Sequence, residues 1–329
     1  MTHVVVTGGA GFIGARLARE LLAAGTLGVA GAEPRALSRL TIIDRAPAPP
    51  DLAADGRVNS VTGDLTELIA ADGDLLAGAD VIFHLAAAVS AECEADFDLG
   101  MHANLAATQA LLAACRALGT RPVVVYASSL AVFGGSAEHP LPAVVDDQTT
   151  PNPQTSYGTQ KVIGEYLLAD YTRKGFLRGR AVRPVTISVR AGRPNAAASG
   201  FLSSIIREPL AGLHATCPVD PATEVALGSP AKAVGAFIRA ATSSERSWGD
   251  STAVTMPALT LTVGEMADAL ARVAGPEVAD RIDWVPDPVI AGIMTGWPAH
   301  VRSDRAARLG LTPDPDFDSV IRMHMAESG

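Results

Sequence analysis

The chain has 329 residues, 48% of them hydrophobic and 19% charged, with a net charge of -9. Enough apolar material is present for a sizeable buried core, which excludes a disordered chain. The acidic balance and the lack of a dense Lys/Arg cluster argue against nucleic acid and against an anionic membrane surface as partners.

The first half alternates short β-rich runs with alanine-rich helical runs, the pattern of a parallel sheet covered on both faces. Strands are predicted at 3–7, 40–44, 58–62, 81–84, 123–128 and 181–188. Helices are predicted to start near Gly11, Leu65, Phe97 and Ser156. A proline-rich, acidic loop over 136–152 has the length of segments that often cover a site. After Ser188 the periodicity lapses. A helix over 201–213, a short strand over 252–256 and a helix over 262–274 follow. The tail is then broken by Pro286, Pro288, Pro298, Pro313 and Pro315. Residues 1–188 therefore read as one α/β unit, with a returning strand near 251–257. Residues 189–329 read as a smaller mixed α/β lobe that supplies substrate specificity.

Cys93, Cys115 and Cys217 are too few and too widely spaced for a disulfide framework or a metal knuckle. The seven histidines form no ligand pattern, so no metal is expected. The start MTHVVVTGG lacks a basic n-region, and no run of about 18 apolar residues exists. The expected location is the cytoplasm, with no membrane span.

TGGAGFIG, residues 7–14, follows the first strand and opens a helix, placing Gly8, Gly11 and Gly14 at T-G-x-x-G-x-x-G spacing. Glycines there permit a tight turn and let backbone N–H groups approach a pyrophosphate at the helix N-terminus. The context identifies a Rossmann-type, doubly wound parallel sheet that binds a dinucleotide. Asp44 closes the second strand, 30 residues beyond Gly14, and suits an adenosine ribose diol. Its carboxylate would repel a 2′-phosphate, which favours NAD over NADP, although Arg45 beside it could instead hold that phosphate. Asp64 is a candidate acceptor for the adenine amino group and equally a candidate helix N-cap. The small residues of HLAAAVS, after the fourth strand, leave room for a cofactor.

Tyr157 and Lys161 lie four residues apart in TSYGTQK, on one helix face. With 4 tyrosines and three lysines in the chain, a chance Tyr-x-x-x-Lys is expected in about 4% of such sequences. The ammonium is expected to lower the phenol pKa and make Tyr157 a usable base near neutrality. Ser129, at the end of the fifth strand, could present its hydroxyl to a substrate oxygen.

These motifs, with GDL, DVIFHLAA, the Asn of HANLAATQALL, SSLAVFG and YGTQK, resemble the extended short-chain dehydrogenase/reductase family. The resemblance implies Ser129 as substrate-orienting hydroxyl, Tyr157 as acid/base and Lys161 as ribose ligand and pKa modulator. It implies Asn104 near the nicotinamide side. Phe12, Ile13, Leu65, Leu85, Ala86, Ala87 and Pro184 complete the expected cofactor contacts. A homodimer through the helices near 97–118 and 156–174 is also implied.

The second half narrows the resemblance. Sugar-nucleotide members of the family read R-x-x-N-x-Y-G-P where this chain has Thr186 in place of the Asn. The stretch 186–199, IIREPL, CPV and GWP instead resemble the D-erythronate dehydrogenase group, with Ala191 departing from an expected Pro. That resemblance implies oxidation of the C2 hydroxyl of a small sugar acid. Ser90, Thr186, Arg190 and Asn195 are the candidate substrate contacts, and Arg190, Arg193 or Arg207 would grip the carboxylate. The alternatives are a nucleotide-sugar epimerase or dehydratase, which needs a long basic groove, and a non-catalytic dinucleotide-sensing module.

Overall fold

The computed structural model describes residues 1–136, 138–192, 199–250 and 252–328. Its strands are β1 (Thr2–Thr7), β2 (Thr26–Leu27), β3 (Arg35–Asp44), β4 (Val58–Thr62), β5 (Val81–His84), β6 (Val123–Ala127) and β7 (Arg178–Arg183). They continue as β8 (Thr186–Ile187), β9 (Ala215–Cys217), β10 (Glu224–Gly228), β11 (Val254–Thr255), β12 (Leu259–Thr262) and β13 (Ile282–Trp284). A parallel sheet runs in the order β4, β3, β1, β5, β6, β7, β11. This is the doubly wound α/β arrangement that the alternating pattern predicts. Strand order reverses direction between β1 and β5, where such sheets bind ligands beyond their carboxyl ends.

Successive residues of each strand feed opposite faces. Val4, Val6, Ile42, Phe83 and Val125 pack under the helices Phe12–Ala24 and Pro230–Thr242, against Leu17, Leu21, Val234 and Phe237. Val5, Ile43, Ile82, Val124 and Ala181 pack on the other face against Leu65, Leu111, Cys115 and Leu168. A further core gathers the helices Phe201–Leu210, Val263–Ala274 and Phe317–Ser328 around Leu202, Met266, Leu270 and Ile321. The short sheets β12-β10-β8 and β13-β9 lie beside it.

Several elements differ from the pattern-based reading. The strand expected at 40–44 begins at Arg35, because the residues before it fold back as a hairpin with β2. Gly25, at φ 65, ends the first helix and lets the chain reverse. The strand expected over 181–188 is two strands in different sheets. Pro184 has no N–H to continue a ladder, and the chain leaves β7 there to pair β8 with β10. The helix Pro230–Thr242, unassigned from sequence, is apolar on its sheet-facing side and packs on the parallel sheet. The predicted helix at Phe97 is preceded by a short one, Ser90–Ala95, and contains a π-turn over Met101–Ala106.

Candidate active site

Three adjoining cavities line the carboxyl edge of the parallel sheet. The largest, about 700 Å³, is bounded by Gly8 and Gly11 after β1, Asp44 after β3, Gly63, Asp64 and Leu65 after β4, and Leu85, Ala86 and Ala87 after β5. Gly8 adopts φ 72, and a Cβ there would lie 2.6 Å from the Ala86 nitrogen. Gly14 has no room for a Cβ either, since it would strike the Gly8 carbonyl oxygen and lie 2.7 Å from Gly9 Cα. Gly11 is different. Its backbone is extended, and a Cβ would meet only the Gly8 oxygen, at 3.3 Å. Protein packing therefore demands glycine at 8 and 14, while glycine at 11 keeps the helix N-terminus open toward the cavity.

Asp44 accepts from the backbone N–H groups of Ala10 at 3.0 Å and Ala46 at 3.1 Å. Its carboxylate thus ties the glycine turn to the end of β3 while facing the cavity. Asp64 is the N-cap of the helix Leu65–Ala71, accepting from Thr66 and Glu67 N–H, and it also meets His102 Nε2 at 3.0 Å. Partial burial works against its charge, but the bonds from Thr66 and His102 win and hold its carboxyl below the usual value. Asp64 thus caps the helix while bordering the large cavity. Phe12 packs into the core and Gly14 against the glycine turn, so neither lines this cavity.

A second cavity of about 210 Å³ holds Tyr157, Lys161, Ser129, Ile13, Leu85, Ala87 and Pro184. A third, about 110 Å³, opens from it and is lined by Ser90, Ser129, Thr155, Tyr157, Thr186, Arg190, Ser199 and Trp297. Tyr157, Ser129, Pro184 and Arg190 border both. The helix Ser156–Arg173, capped by Thr155 at the Gly158 N–H, delivers Tyr157 and Lys161. Gly158 lets that helix lie against the turn carrying Ser129, since a Cβ would strike the Ala131 carbonyl oxygen. Ser129 Oγ accepts from the Ala131 N–H at 3.1 Å, which leaves its own proton free to donate.

The electrostatics correct one expectation. Tyr157 is not made acidic by Lys161: burial raises the phenol above its ordinary 10, and the Ser129 hydroxyl and the Arg190 charge pull back less strongly. Lys161 Nζ lies 5.6 Å from the Tyr157 ring centroid and donates to the Ala127 carbonyl at 2.8 Å. The lysine is 2% exposed, and burial lowers it to about 8, against the opposing fields of Cys93 and Glu165. Arg190 is also lowered by burial, with Tyr157 acting in the other direction.

Asn104 does not border these cavities. It is 2% exposed in the π-turn, accepts from Ala88 N–H at 2.7 Å, and donates to Ala88 O and to Gln160 Oε1 at 2.8 Å. It acts on the cleft through the backbone of Ala88. Arg207 is also engaged elsewhere, donating to the Arg190 carbonyl at 2.8 Å and to Glu208 at 2.5 Å. Arg193 and Asn195 lie outside the described residues. Sequence reasoning missed Glu92, Thr155, Ala233 and Phe237 at the cavity walls. Ala233 and Phe237 sit on the unassigned helix, and Thr155 directly before the helical run was a readable N-cap signal. Among the described residues no cluster of His, Cys, Asp and Glu could hold a metal ion, and no helix is long and apolar enough to cross a membrane.

The chain is 49% identical over 327 residues to a D-erythronate dehydrogenase of Cupriavidus necator, covering 99% of each chain. It is 39% identical to one of Haemophilus influenzae, covering 97% of each. A crystal structure described as a nucleoside-diphosphate-sugar epimerase from Agrobacterium tumefaciens superposes with a TM-score of 0.91 at 39% identity, covering 99% of this chain and 94% of that one. The NAD dependent epimerase/dehydratase family matches residues 4–229, and with the glycine turn, Asp44 and the Tyr157–Lys161 pair at the sheet edge, the chain belongs to that family.

Proposed function

We propose that this protein oxidises the C2 hydroxyl of a small sugar acid, D-erythronate, to the 2-oxo acid with NAD. One observation carries the reading: Ser129, Tyr157 and Arg190 converge on a cavity of about 110 Å³ that adjoins the Lys161 cavity. Arg190 is the charged side chain among its described lining residues, and it suits one carboxylate. The names of the two near-full-length relatives support the same substrate.

The cleft fits a dinucleotide. Gly8 and Gly11 leave a backbone cradle at a helix N-terminus, and Asp44 stands where a ribose diol would meet a carboxylate. NAD, when bound, supplies the hydride acceptor. Tyr157 takes the hydroxyl proton, Ser129 donates to the same oxygen and holds it, and the Arg190 guanidinium anchors the carboxylate. Lys161 contacts the ribose beside Tyr157, while the Ser129 hydroxyl and the Arg190 charge act on the phenol. Thr186 and Ser90 meet the remaining hydroxyls, and the residues from 189 onward supply specificity. Two copies associate through the helices Ala107–Leu118 and Ser156–Arg173, where Tyr166 is 61% exposed and Phe97, just upstream, 59%. Light scattering of the pure protein checks that pairing.

A second reading is nucleotide-sugar epimerisation, which the description of the Agrobacterium structure favours. The small third cavity and Thr186 weigh against it. The experiment is a panel of four- and five-carbon aldonic acids with NAD and with NADP, alongside UDP- and dTDP-sugars. Reduced cofactor should accumulate with an aldonic acid and NAD. Turnover of a sugar nucleotide without net reduction of cofactor would replace the first reading with the second.

A further inference from the structure

One chain of hydrogen bonds through His84 joins Thr7, the last residue of β1, to Asn104 in the π-turn. Thr7 Oγ1 lies 2.7 Å from His84 Nδ1, and His84 Nε2 lies 3.0 Å from Thr108 Oγ1. Thr108 Oγ1 lies 2.6 Å from the Asn104 carbonyl oxygen. Two oxygens that close need a proton between them, and a carbonyl has none to give. The single Thr108 hydroxyl proton is therefore committed to Asn104. Toward His84 that oxygen can only accept, so Nε2 carries hydrogen. In a neutral ring Nδ1 is then the acceptor for the Thr7 hydroxyl. Thr7 Oγ1 in turn lies 3.4 Å from the Ala86 N–H. Donation runs one way along the chain, from Ala86 to Thr7 to His84 to Thr108 to Asn104. The ring is 1% exposed, and burial, with the Lys161 charge second, pushes its pKa down to about 3, so it is neutral near pH 7.

We infer that His84 is a positioning residue whose neutral Nε2–H tautomer holds the glycine turn through Nδ1 and the Asn104 π-turn through Nε2, each nitrogen serving one end of the dinucleotide cleft. At one end Gly8 follows Thr7 and borders the large cavity. At the other, Asn104 grips both backbone groups of Ala88, which borders the large cavity and the Tyr157–Lys161 cavity alike. The two positioning roles rest on reading the cleft as the NAD site, whereas the tautomer does not.

Nitrogen NMR of the whole protein labelled at histidine tests the tautomer. At neutral pH, His84 should show a protonated Nε2 and an unprotonated Nδ1. The opposite tautomer or an imidazolium overturns the inference whatever the cleft binds. Two substitutions then cut the chain at opposite ends. In His84→Asn the side-chain oxygen can replace Nδ1, but nothing reaches Thr108. In His84→Gln the amide nitrogen can replace Nε2, but Thr7 loses its acceptor. The Asn variant should keep its NAD Kd within about 2-fold and lose about 10-fold in kcat, and the Gln variant should weaken NAD about 10-fold with the smaller loss in kcat. Equal losses in the two variants, or none in either, would leave His84 a packing residue and overturn the assignment of one nitrogen to each end. Failure of the wild-type protein to bind NAD would overturn the cleft assignment and both positioning roles, and would leave the tautomer to the NMR result.

Discussion

The Lys161 ammonium is fixed by the Ala127 carbonyl oxygen at 2.8 Å, and Ala127 is the last residue of the strand that leads into Ser129. The cation is thereby positioned by the sheet edge, next to the Tyr157 ring and out of water. Unfolded, its pKa is 10.5; folded, it is about 8. Below pH 8 both states hold the proton and the folded state carries the full burial penalty, about 3 kcal/mol. Between 8 and 10.5 only the unfolded chain holds it, so the penalty fades as pH rises. Lys161→Met should therefore abolish turnover yet raise Tm at pH 7, and the gain should shrink toward pH 10. Thermal melts of both proteins across that range check this. A variant less stable at every pH would mean that the bond to Ala127 outweighs the desolvation.

Tyr157→Phe removes the proton acceptor and leaves the ring that packs beside Lys161. Turnover should fall about 1,000-fold, while the NAD Kd changes less than about 2-fold. Steady-state rates and an equilibrium titration with NAD separate the two effects. Since burial raises the phenol above 10, wild-type oxidation should also rise with pH across the neutral range, because the base-competent form grows with pH.

The strand–turn–helix pattern, the glycine spacing and the Tyr–Lys spacing are local, and local signals carry into the fold with little loss. The cavities show where local signals stop. Ala233 and Phe237 reach the cleft from 230–242, far along the chain, through a packing that periodicity over a dozen residues does not reveal. The pKa direction of Tyr157 was illegible for a related reason. Spacing alone places a cation near a phenol, but it says nothing of how much water surrounds either. Arg207 shows the same limit, since an arginine in a helix looks free until the carbonyl of Arg190 takes it.

Glu165 and Arg183 form a buried, two-bond ion pair at 2.8 and 2.6 Å, and Ser128 also donates to Glu165. The pair fastens the Tyr157 helix to β7 one turn beyond Lys161. Glu165→Gln leaves the Arg183 charge buried without its partner, and stability should fall by about 3 kcal/mol. Urea unfolding measures it. A loss under about 1 kcal/mol would show that the guanidinium finds another acceptor.

Arg190 is half-buried at the wall of the third cavity, with Nε donating to the Ile187 carbonyl at 3.3 Å. If it anchors a carboxylate, Arg190→Met should reduce kcat/KM for D-erythronate by about 100-fold or more. For the corresponding neutral amide or polyol, already poor substrates, the same change should cost less than about 3-fold. Equal losses for acid and neutral analogue would assign Arg190 to the scaffold and move the anchor elsewhere.

Asp44 serves two ends, and substitution should separate them. As a carboxylate facing the cavity it would repel a 2′-phosphate, with Arg45 beside it available to hold one. As an acceptor it secures the Ala10 and Ala46 N–H groups. Asp44→Asn retains one carbonyl acceptor and removes the charge. The ratio of kcat/KM for NAD over NADP should drop at least 10-fold, while Tm falls by a few degrees from the weakened tie. Asp44→Ala should shift the ratio similarly but lose more stability, because both N–H groups are then unpaired. Kinetics with the two cofactors and melts of the two variants check this. An unchanged cofactor ratio alongside the loss of stability would make Asp44 a brace for the glycine turn with no part in choosing the cofactor.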